Sequence, residues 1–298
     1  MPFVEQLVNG LVLGSFYALV ALGYSMVYGV IKLLNFAHGD IYMTGAFVCL
    51  SVFGVIQDII SGWPGIIISI LAAMVISGII GFLAQRFAYR PLLGKPRLTL
   101  LITAIGVSLI IYNSAMLITN SQPQAFNSGL DNAAGIEIGG IMITYNKIIL
   151  IAVSVIVMVG LTLFIGRTMA GKAMRAIAAD KDTCRLMGIN VNKTIGMTFV
   201  IGSALAALAG GLACVYYSNV KYDMGYIIGI KAFTAAVIGG IGSIPGAMIG
   251  GLLLGVLETT GTLVVQSQWK DVFAFGLLIM ILILRPNGLL GKSEVERM

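Results

Sequence analysis

Long apolar runs separated by short polar breaks dominate the pattern of this sequence. A helix needs roughly 20 apolar residues to cross the hydrocarbon core of a bilayer. By that measure the runs predict eight or nine membrane spans, near 5–31, 41–60, 64–88, 98–119, 146–166, 193–218, 228–241, 245–265 and 269–285. The seventh run is too short to cross comfortably, so we expect a half-helix or a re-entrant segment there.

The composition is that of an integral membrane protein. Of the 298 residues, 58% are hydrophobic and only 10% are charged, and the mean hydropathy is +1.00. In lipid only helices or closed barrels satisfy the backbone, and the sequence lacks the alternating runs of barrel strands. We therefore predict an all-α, polytopic transmembrane helical bundle with broken helices, in which residues 1–298 form one domain.

Charge predicts how the spans are oriented. Basic residues collect at Arg86, Arg90, Lys95 and Arg97, in the segment 166–193, and at Arg285, Lys292 and Arg297. Such clusters next to spans face the cytoplasm, whereas the loop 120–145, which is acidic before Lys147, is expected outside. Nine crossings then put the N-terminus outside and the C-terminus inside. The net charge of +6 reflects this topology and does not indicate a nucleic-acid partner.

The basic segment 166–193 has a helical pattern. One stripe at helical spacing contains Ala173, Ala176, Ile177, Asp180, Cys184 and Met187, and another contains Lys172, Arg175, Ala179 and Asp182. Gly171 and Gly188 bracket the predicted helix, with Gly188 placed as its C-cap. Two interpretations remain open: a docking surface for a cytoplasmic subunit, or a solvated loop that only sets the topology.

Two breaks in the apolar runs are candidate pathway elements. The first contains Asn35, His38 and Asp40; it is either a gate element or an ordinary turn in which Asp40 caps the next helix. The second contains Gly239, Gly240, Gly242, Ser243 and Pro245. A helix starting at Pro245 would offer free N–H groups to a carboxylate at a midplane substrate site, and the alternative is a tight hairpin between packed helices.

A few side chains and spacings inside the runs complete the candidates. Glu258 lies well inside a run, where a carboxylate indicates function unless it reaches water or a Thr near the outer end of its span. Lys221, Asp223 and Lys231 are expected around the outer end of the seventh span. The pairs Gly10/Gly14, Gly246/Gly250 and Gly251/Gly255 have the spacing that lets helices approach closely.

Several functions are not expected. His38 is the single histidine, and Cys49, Cys184 and Cys214 are far apart in the sequence. We therefore predict no metal site, no other cofactor and no disulfide framework. No nucleophile–base pair supports an enzyme, and no phosphate-binding loop is present, so ATP energy would come from another chain. The acidic Glu5 before the first run argues against a cleavable signal peptide.

Six stretches together resemble a known family. They are Asn9-Gly-Leu-Val-Leu-Gly-Ser-Phe-Tyr-Ala-Leu, Gly23-Tyr-Ser-Met-Val-Tyr-Gly, Asn35-Phe-Ala-His-Gly-Asp, Gly171-Lys-Ala-Met-Arg-Ala, Leu186-Met-Gly-Ile and Lys231-Ala-Phe-Thr-Ala-Ala-Val-Ile-Gly-Gly-Ile-Gly-Ser-Ile-Pro-Gly-Ala. The chain resembles, along its whole length, the inner-membrane permease of bacterial ABC importers for branched-chain amino acids. It is most similar to the permease subunit that lacks a large N-terminal extension.

The resemblance implies a permease that moves leucine, isoleucine or valine inward across the bacterial inner membrane. Its implied partners are a homologous permease, two cytoplasmic ATPases and a periplasmic binding protein. The implied ATPase-coupling helix runs from Gly171 to Gly188, with Arg175, Asp180 and Gly188 at its matching positions. Lys172 and Arg185 are further candidate residues of this helix. The expected translocation pathway comprises Asn35, His38, Asp40, Gly239, Gly240, Gly242, Ser243, Pro245 and Glu258.

Other functions remain open at this stage. An ion-coupled secondary transporter would use Glu258, Asp40 and His38 as a relay and would work alone, and a passive channel would conduct without nucleotide. Within the ABC interpretation, similar permeases move urea, short amides or other amino acids. A homodimer of permeases is the alternative to a heterodimer.

Overall fold

The structure is a computed structural model that describes residues 2–129, 134–138, 141–263, 267–285 and 287–291. Its helices are α1 (Pro2–Ile31), α2 (His38–Ile56), α3 (Gly62–Ala84), α4 (Arg97–Ile118), α5 (Tyr145–Arg167), α6 (Met169–Ala179), α7 (Lys181–Leu186), α8 (Val191–Tyr217), α9 (Met224–Gly239), α10 (Ile244–Gly261) and α11 (Lys270–Leu284). Beyond α3 the chain continues as a π-helix and a 3₁₀ turn to Leu92. Lys292 and Arg297, which were expected in the basic tail, lie outside the described residues.

The predicted all-α membrane bundle is confirmed. Among the described residues, seven helical segments are long and apolar enough to cross a membrane: α1, α2, α3 with its extension, α4, α5, α8 and α10. The short seventh run forms α9, an apolar helix of 16 residues. The last run forms α11, which has 15 residues.

In the part of the chain that the structure describes, strand structure is confined to two small antiparallel pairs. β1 (Gln124–Ala125) pairs with β4 (Asn219–Val220), and β2 (Gly135–Ile138) pairs with β3 (Ile141–Thr144). The first pair links the end of α8 to the segment after α4, so it fixes the loop expected on the outer side.

Helices α1 and α8 form the centre of the bundle. Both are almost wholly buried, whereas α4 exposes most of its side chains and packs at the edge. α1 runs alongside α10 and also contacts α5, α6, α8 and α9. A single helix thus touches most of the elements described below.

Close packing of α1 on α10 depends on glycine. A Cβ at Gly255 would collide with the backbone of Gly14, and one at Gly251 would collide with the backbone of Ala18. In lipid, where apolar burial drives helix association weakly, such backbone contact supplies much of the packing energy. The glycine pairs predicted from spacing therefore pack within this chain.

We predict that Gly255→Val destabilises the bundle. Overpacking of a close contact costs about 1–3 kcal/mol, because neither backbone can withdraw. Gly160→Val on α5 is the matched control, since a Cβ there meets no atom within 4 Å. The free energy of unfolding in detergent, from SDS titration, should fall for Gly255→Val and stay near wild type for Gly160→Val. Equal values for the two variants would contradict the packing argument.

Candidate functional site

The basic segment folds as two helices, α6 and α7, rather than the single helix that was predicted. α6 turns sharply away from α5, and a Cβ at Gly171 would collide with the backbone of Ile165. Thr168 caps α6, because its hydroxyl accepts a hydrogen bond from the Gly171 N–H at 3.1 Å. Gly171, Met174 and Ile177 form the buried face of this helix.

Asp180 ends α6 and starts α7. Its carboxylate accepts hydrogen bonds from the backbone N–H groups of Asp182 at 2.9 Å and Thr183 at 3.1 Å. Hydrogen bonding from Thr183, first through its hydroxyl and then through its N–H, holds the pKa of Asp180 below its ordinary value. The cap is therefore charged at neutral pH. The predicted single helix placed Asp180 inside a continuous helical stripe, which is wrong: Asp180 is an exposed N-cap whose side chain turns back to its own helix.

Gly188 ends α7, as predicted. It has a φ of +79°, and its N–H donates to the Arg185 carbonyl at 3.1 Å while that of Ile189 donates to the Cys184 carbonyl at 3.0 Å. These two bonds define a Schellman motif. The residue after the helix end then has a left-handed backbone conformation, which glycine adopts most easily. The segment is thus shaped by three local caps.

The outer face of this segment combines charge with large apolar side chains. Lys172 and Arg175 are exposed, and Arg175 donates to the Gly166 carbonyl at 3.1 Å. Arg185 forms an exposed ion pair with Asp182 at 3.2 Å. Leu186 and Met187 are 88% and 77% exposed. Exposed apolar side chains on a charged surface indicate a contact with another protein.

The first break brings Asn35, His38 and Asp40 to three different neighbours. Asn35 accepts a hydrogen bond from the Tyr89 hydroxyl at 2.6 Å. The His38 ring packs edge-on against Tyr24 with centroids 4.7 Å apart, and its Nε2 has no hydrogen-bond partner among the described residues. Asp40, in the first turn of α2, accepts from the Ser108 hydroxyl of α4. These residues are buried, so the break is not a solvated turn.

A cavity of about 640 Å³ lies beside this break, between α2, α4 and α9. Its walls are mainly apolar and aromatic, with two acids. The lining residues are Tyr24, Phe36, Asp40, Ile105, Ser108, Leu109, Tyr112, Asp223, Gly225, Tyr226, Ile227, Gly229, Ile230 and Phe233. Of the predicted pathway residues only Asp40 lines it.

The second break is a tight hairpin between α9 and α10. Gly240 and Gly242 have φ values of +104° and +89°, and Ser243 caps α10 by accepting from the Gly246 N–H at 3.3 Å, with Pro245 in the first turn. Gly239 packs directly on Gly246. None of these residues lines the cavity.

The C-terminal segment closes over this hairpin. The N–H groups of Leu289 and Leu290 donate to the carbonyls of Ile238 and Gly239, both at 2.9 Å. From α1, the Ser25 hydroxyl accepts a hydrogen bond from the Gly242 N–H at 3.4 Å. These backbone N–H and C=O groups of the break are therefore hydrogen-bonded within the protein.

Glu258 belongs to a buried charged cluster that joins four helices. Lys231 of α9 lies 2.7 Å from Glu258 of α10 and 2.8 Å from Asp271 of α11. The Tyr17 hydroxyl of α1 donates to the other Glu258 oxygen at 2.8 Å. The side chains of Lys231 and Glu258 are 8% and 3% exposed, and that of Asp271 is 63% exposed. Glu258 is thus neutralised by protein and does not reach water.

Lys231 is a site residue that the sequence misplaced. It was expected at the outer end of the seventh span, but it lies in the middle of α9, buried against α1 and α10. One signal could have found it. Lys231 and Glu258 lie on opposite sides of the glycine break, so a hairpin there brings their charges together.

A multi-pass helical bundle with a mainly apolar cavity that contains two acids, and with a capped, charged helical segment, is an architecture that suits a membrane permease. The chain belongs to the family described as the permease component of branched-chain amino acid transport systems, whose model matches residues 6–282. The resemblance inferred from the sequence motifs is therefore confirmed.

Two of the relatives cover nearly the whole chain, and a third covers most of it. The high-affinity branched-chain amino acid transport system permease protein BraD of Pseudomonas aeruginosa is 46% identical, covering 99% of this chain and 98% of its own. LivH of Escherichia coli K12, which carries the same description, is 42% identical, covering 99% and 97%. The fructose import permease protein FrcC of Rhizobium meliloti is 25% identical, covering 78% and 73%. No solved structure matches the chain at a significant level.

We predict that Lys231→Met lowers the free energy of unfolding by about 3–5 kcal/mol, because it leaves the buried Glu258 without its cation. Adding Glu258→Gln should restore most of the loss, since a neutral amide still accepts from Tyr17. The exposed Lys221→Met is the matched control. SDS titration of the four proteins measures the effect, and a double variant no more stable than Lys231→Met alone would exclude the pair as the cause.

Proposed function

We propose that this chain is the membrane permease of an ABC importer that carries leucine, isoleucine and valine inward across the bacterial inner membrane. The observation that carries the proposal is identity of 46% and 42% over nearly the full length to permeases described as serving branched-chain amino acids. Two ATPases on the cytoplasmic face would power transport, and a periplasmic binding protein would deliver the substrate.

The charged cluster argues against an ion-coupled secondary transporter. A proton or sodium relay needs a carboxylate that can exchange its ion with water. Glu258 instead holds Lys231 at 2.7 Å and Tyr17 at 2.8 Å in a buried site. A structural role for Glu258 fits these contacts better than a relay.

The open side of the cavity supports a second permease. Leu109, Tyr226 and Ile227 line the cavity and are more than half exposed, so the cavity opens sideways between α4 and α9. Acids inside a membrane face protein or water, not lipid. A homologous permease packed across this opening would supply the missing wall, and we propose a heterodimer.

The cytoplasmic segment 169–188 is the proposed site of ATPase coupling. Gly171, Met174 and Ile177 form its inner face and are buried against the bundle. A displacement of the segment by a bound ATPase would therefore be transmitted to the bundle. Its outer face offers Arg175 and the exposed Leu186 to a partner. The proposed contact region also includes Lys172, Asp180, Arg185 and Gly188. Asp180 and Gly188 contribute by fixing where α7 begins and ends.

The test of this function is uptake by the assembled transporter. The tagged chain is purified in mild detergent with its co-purifying partners, and the complex is reconstituted into liposomes. ATP-dependent uptake of labelled leucine, isoleucine and valine is expected only with the binding protein present. Uptake without ATP, or purification of this chain alone in active form, would overturn the proposal.

We predict that Arg175→Glu and Leu186→Asp each weaken ATPase docking by roughly tenfold or more, equivalent to about 1.4 kcal/mol. The physical reason is charge reversal at one site and burial of a charge at the other. Lys95→Glu is the control, because Lys95 is an exposed cation in another predicted cytoplasmic loop. Co-purification of the ATPase and leucine uptake are measured together.

The control also separates docking from general effects of charge. Lys95→Glu should retain both ATPase and uptake. Normal uptake by both segment variants would show that the segment 169–188 only sets topology.

A further inference from the structure

Two helices of this bundle begin beside the cavity, within the bundle rather than at its end. His38 at the start of α2 packs against Gly23, which lies eight residues before the end of α1. At 1.5 Å per residue, α2 therefore begins roughly 12 Å from that end of α1. Gly225 and Gly229 of α9 pack against Gly39 of α2 at the same depth. Both helix N-termini thus lie at the cavity.

The polar groups of the cavity are of two kinds. Asp40 is buried and oriented by the Ser108 hydroxyl, and Asp223, which precedes α9, adds a second acid. The first turn of α9 has no side-chain cap, and its Gly225 lines the cavity. A carboxylate side chain attracts a ligand cation, whereas an uncapped helix N-terminus offers N–H groups and partial positive charge to an anion.

The remaining walls are apolar. Ile105 and Leu109 of α4 lie across from Ile230 and Phe233 of α9, and Tyr24 and Phe36 contribute aromatic faces. The volume of about 640 Å³ is within the ~300–1,000 Å³ typical of small-molecule sites. Such a site suits a ligand that carries both charges at one end and a hydrocarbon group at the other.

We propose that this cavity binds an α-amino acid with an apolar side chain as it crosses the membrane. The ammonium group pairs with Asp40, the carboxylate meets the first turn of α9 at Gly225, and the side chain contacts Leu109, Ile230 and Phe233. This inference rests on the proposed import function and assigns the substrate site within it. Asp223 at the rim adds attraction for the ammonium group during entry.

Cysteine protection tests the site in the assembled transporter. In a background where the three buried native cysteines are replaced by Ala, Leu109→Cys places a thiol on the cavity wall. Leu117→Cys is the matched control, because Leu117 is an exposed residue of the same helix and does not line the cavity. The rate of modification by a water-soluble methanethiosulfonate is measured with and without leucine.

Leucine should slow modification of Leu109→Cys and leave Leu117→Cys unchanged. Isoleucine and valine should do the same, whereas lysine should not. A Leu109→Cys thiol that never reacts, or that reacts equally fast with leucine, overturns the proposal. Protection by lysine instead of leucine would also overturn the proposal. In that case Asp40 and Asp223 would select a ligand with a cationic side chain rather than an apolar one.

Ligand analogues test each charged contact without altering the protein. 3-Methylbutylamine lacks the carboxylate of leucine, and 4-methylpentanoate lacks the ammonium group. Each should need a concentration about 10- to 100-fold higher than leucine for half-protection, because one charged hydrogen-bonding contact is lost. An analogue that protects as well as leucine would remove the corresponding contact from the proposal.

Asp40→Asn provides the matching protein variant. Added to Leu109→Cys, it should raise the leucine concentration for half-protection by about tenfold or more, because the amide still accepts from Ser108 but lacks the charge. Asp58→Asn, an exposed acid just beyond the other end of α2, should leave it unchanged. Co-purification of the ATPases verifies folding of both. An unchanged value for Asp40→Asn overturns the assignment of Asp40.

The two proposals fail in different ways. If the wild-type complex does not take up leucine with ATP, the import function fails. If it does take up leucine while the cavity thiol is not protected, only the substrate site fails.

Discussion

Helix ends inside the bilayer are the constraint on which this structure depends. A free backbone N–H or C=O in hydrocarbon costs several kcal/mol, so each end must be met by protein or must line a wet cavity. At the α9–α10 break this is done by Ser243, by the Ser25 hydroxyl and by the C-terminal residues Leu289 and Leu290. The first turns of α2 and α9 are different: neither has a side-chain cap, and both contribute residues to the cavity wall.

Glycine residues allow α1 and α10 to pack with their backbones in contact. α1 lies close enough to α10 that Gly14 meets Gly255 and Ala18 meets Gly251. This proximity brings Tyr17 of α1 within hydrogen-bond distance of Glu258, and Glu258 in turn holds Lys231. The close approach of the backbones therefore lets Tyr17 take part in pairing the buried charges, and the cluster ties α1, α9, α10 and α11 together.

The sequence predicts what is local and repetitive. Apolar runs locate the spans within a few residues, and Gly188 marks the end of α7, because both signals are carried by adjacent residues. The break at Asp180 was missed, since an N-cap inside a continuous helical pattern looks like one more polar position. Likewise, periodicity grouped Met187 in one stripe with Ile177 and Cys184, which are buried, but the Schellman turn at Gly188 leaves Met187 exposed.

The cavity lies beyond such reasoning for a different reason. Its wall residues come from three segments, near 36–40, 105–112 and 223–233, whose proximity depends on how α2, α4 and α9 cross. Asp40 carries a visible signal, as an acid in an apolar context, but nothing in the sequence pairs it with Ser108. Periodicity identifies that a face is apolar, and it does not identify which helix that face meets.

One helix connects all these features. α1 contacts α6 of the basic segment 166–193, the hairpin through Gly29, the cavity through Tyr24 and the charged cluster through Tyr17. A packed interior does not absorb small shifts, so a displacement of α6 by a bound partner would reach the cavity through a single rigid element. In the proposed importer, alternation between two states would change the packing of α1 against α2 and α9, which α1 meets where Gly23 lies against the His38 ring and where Tyr24 lies against Gly229.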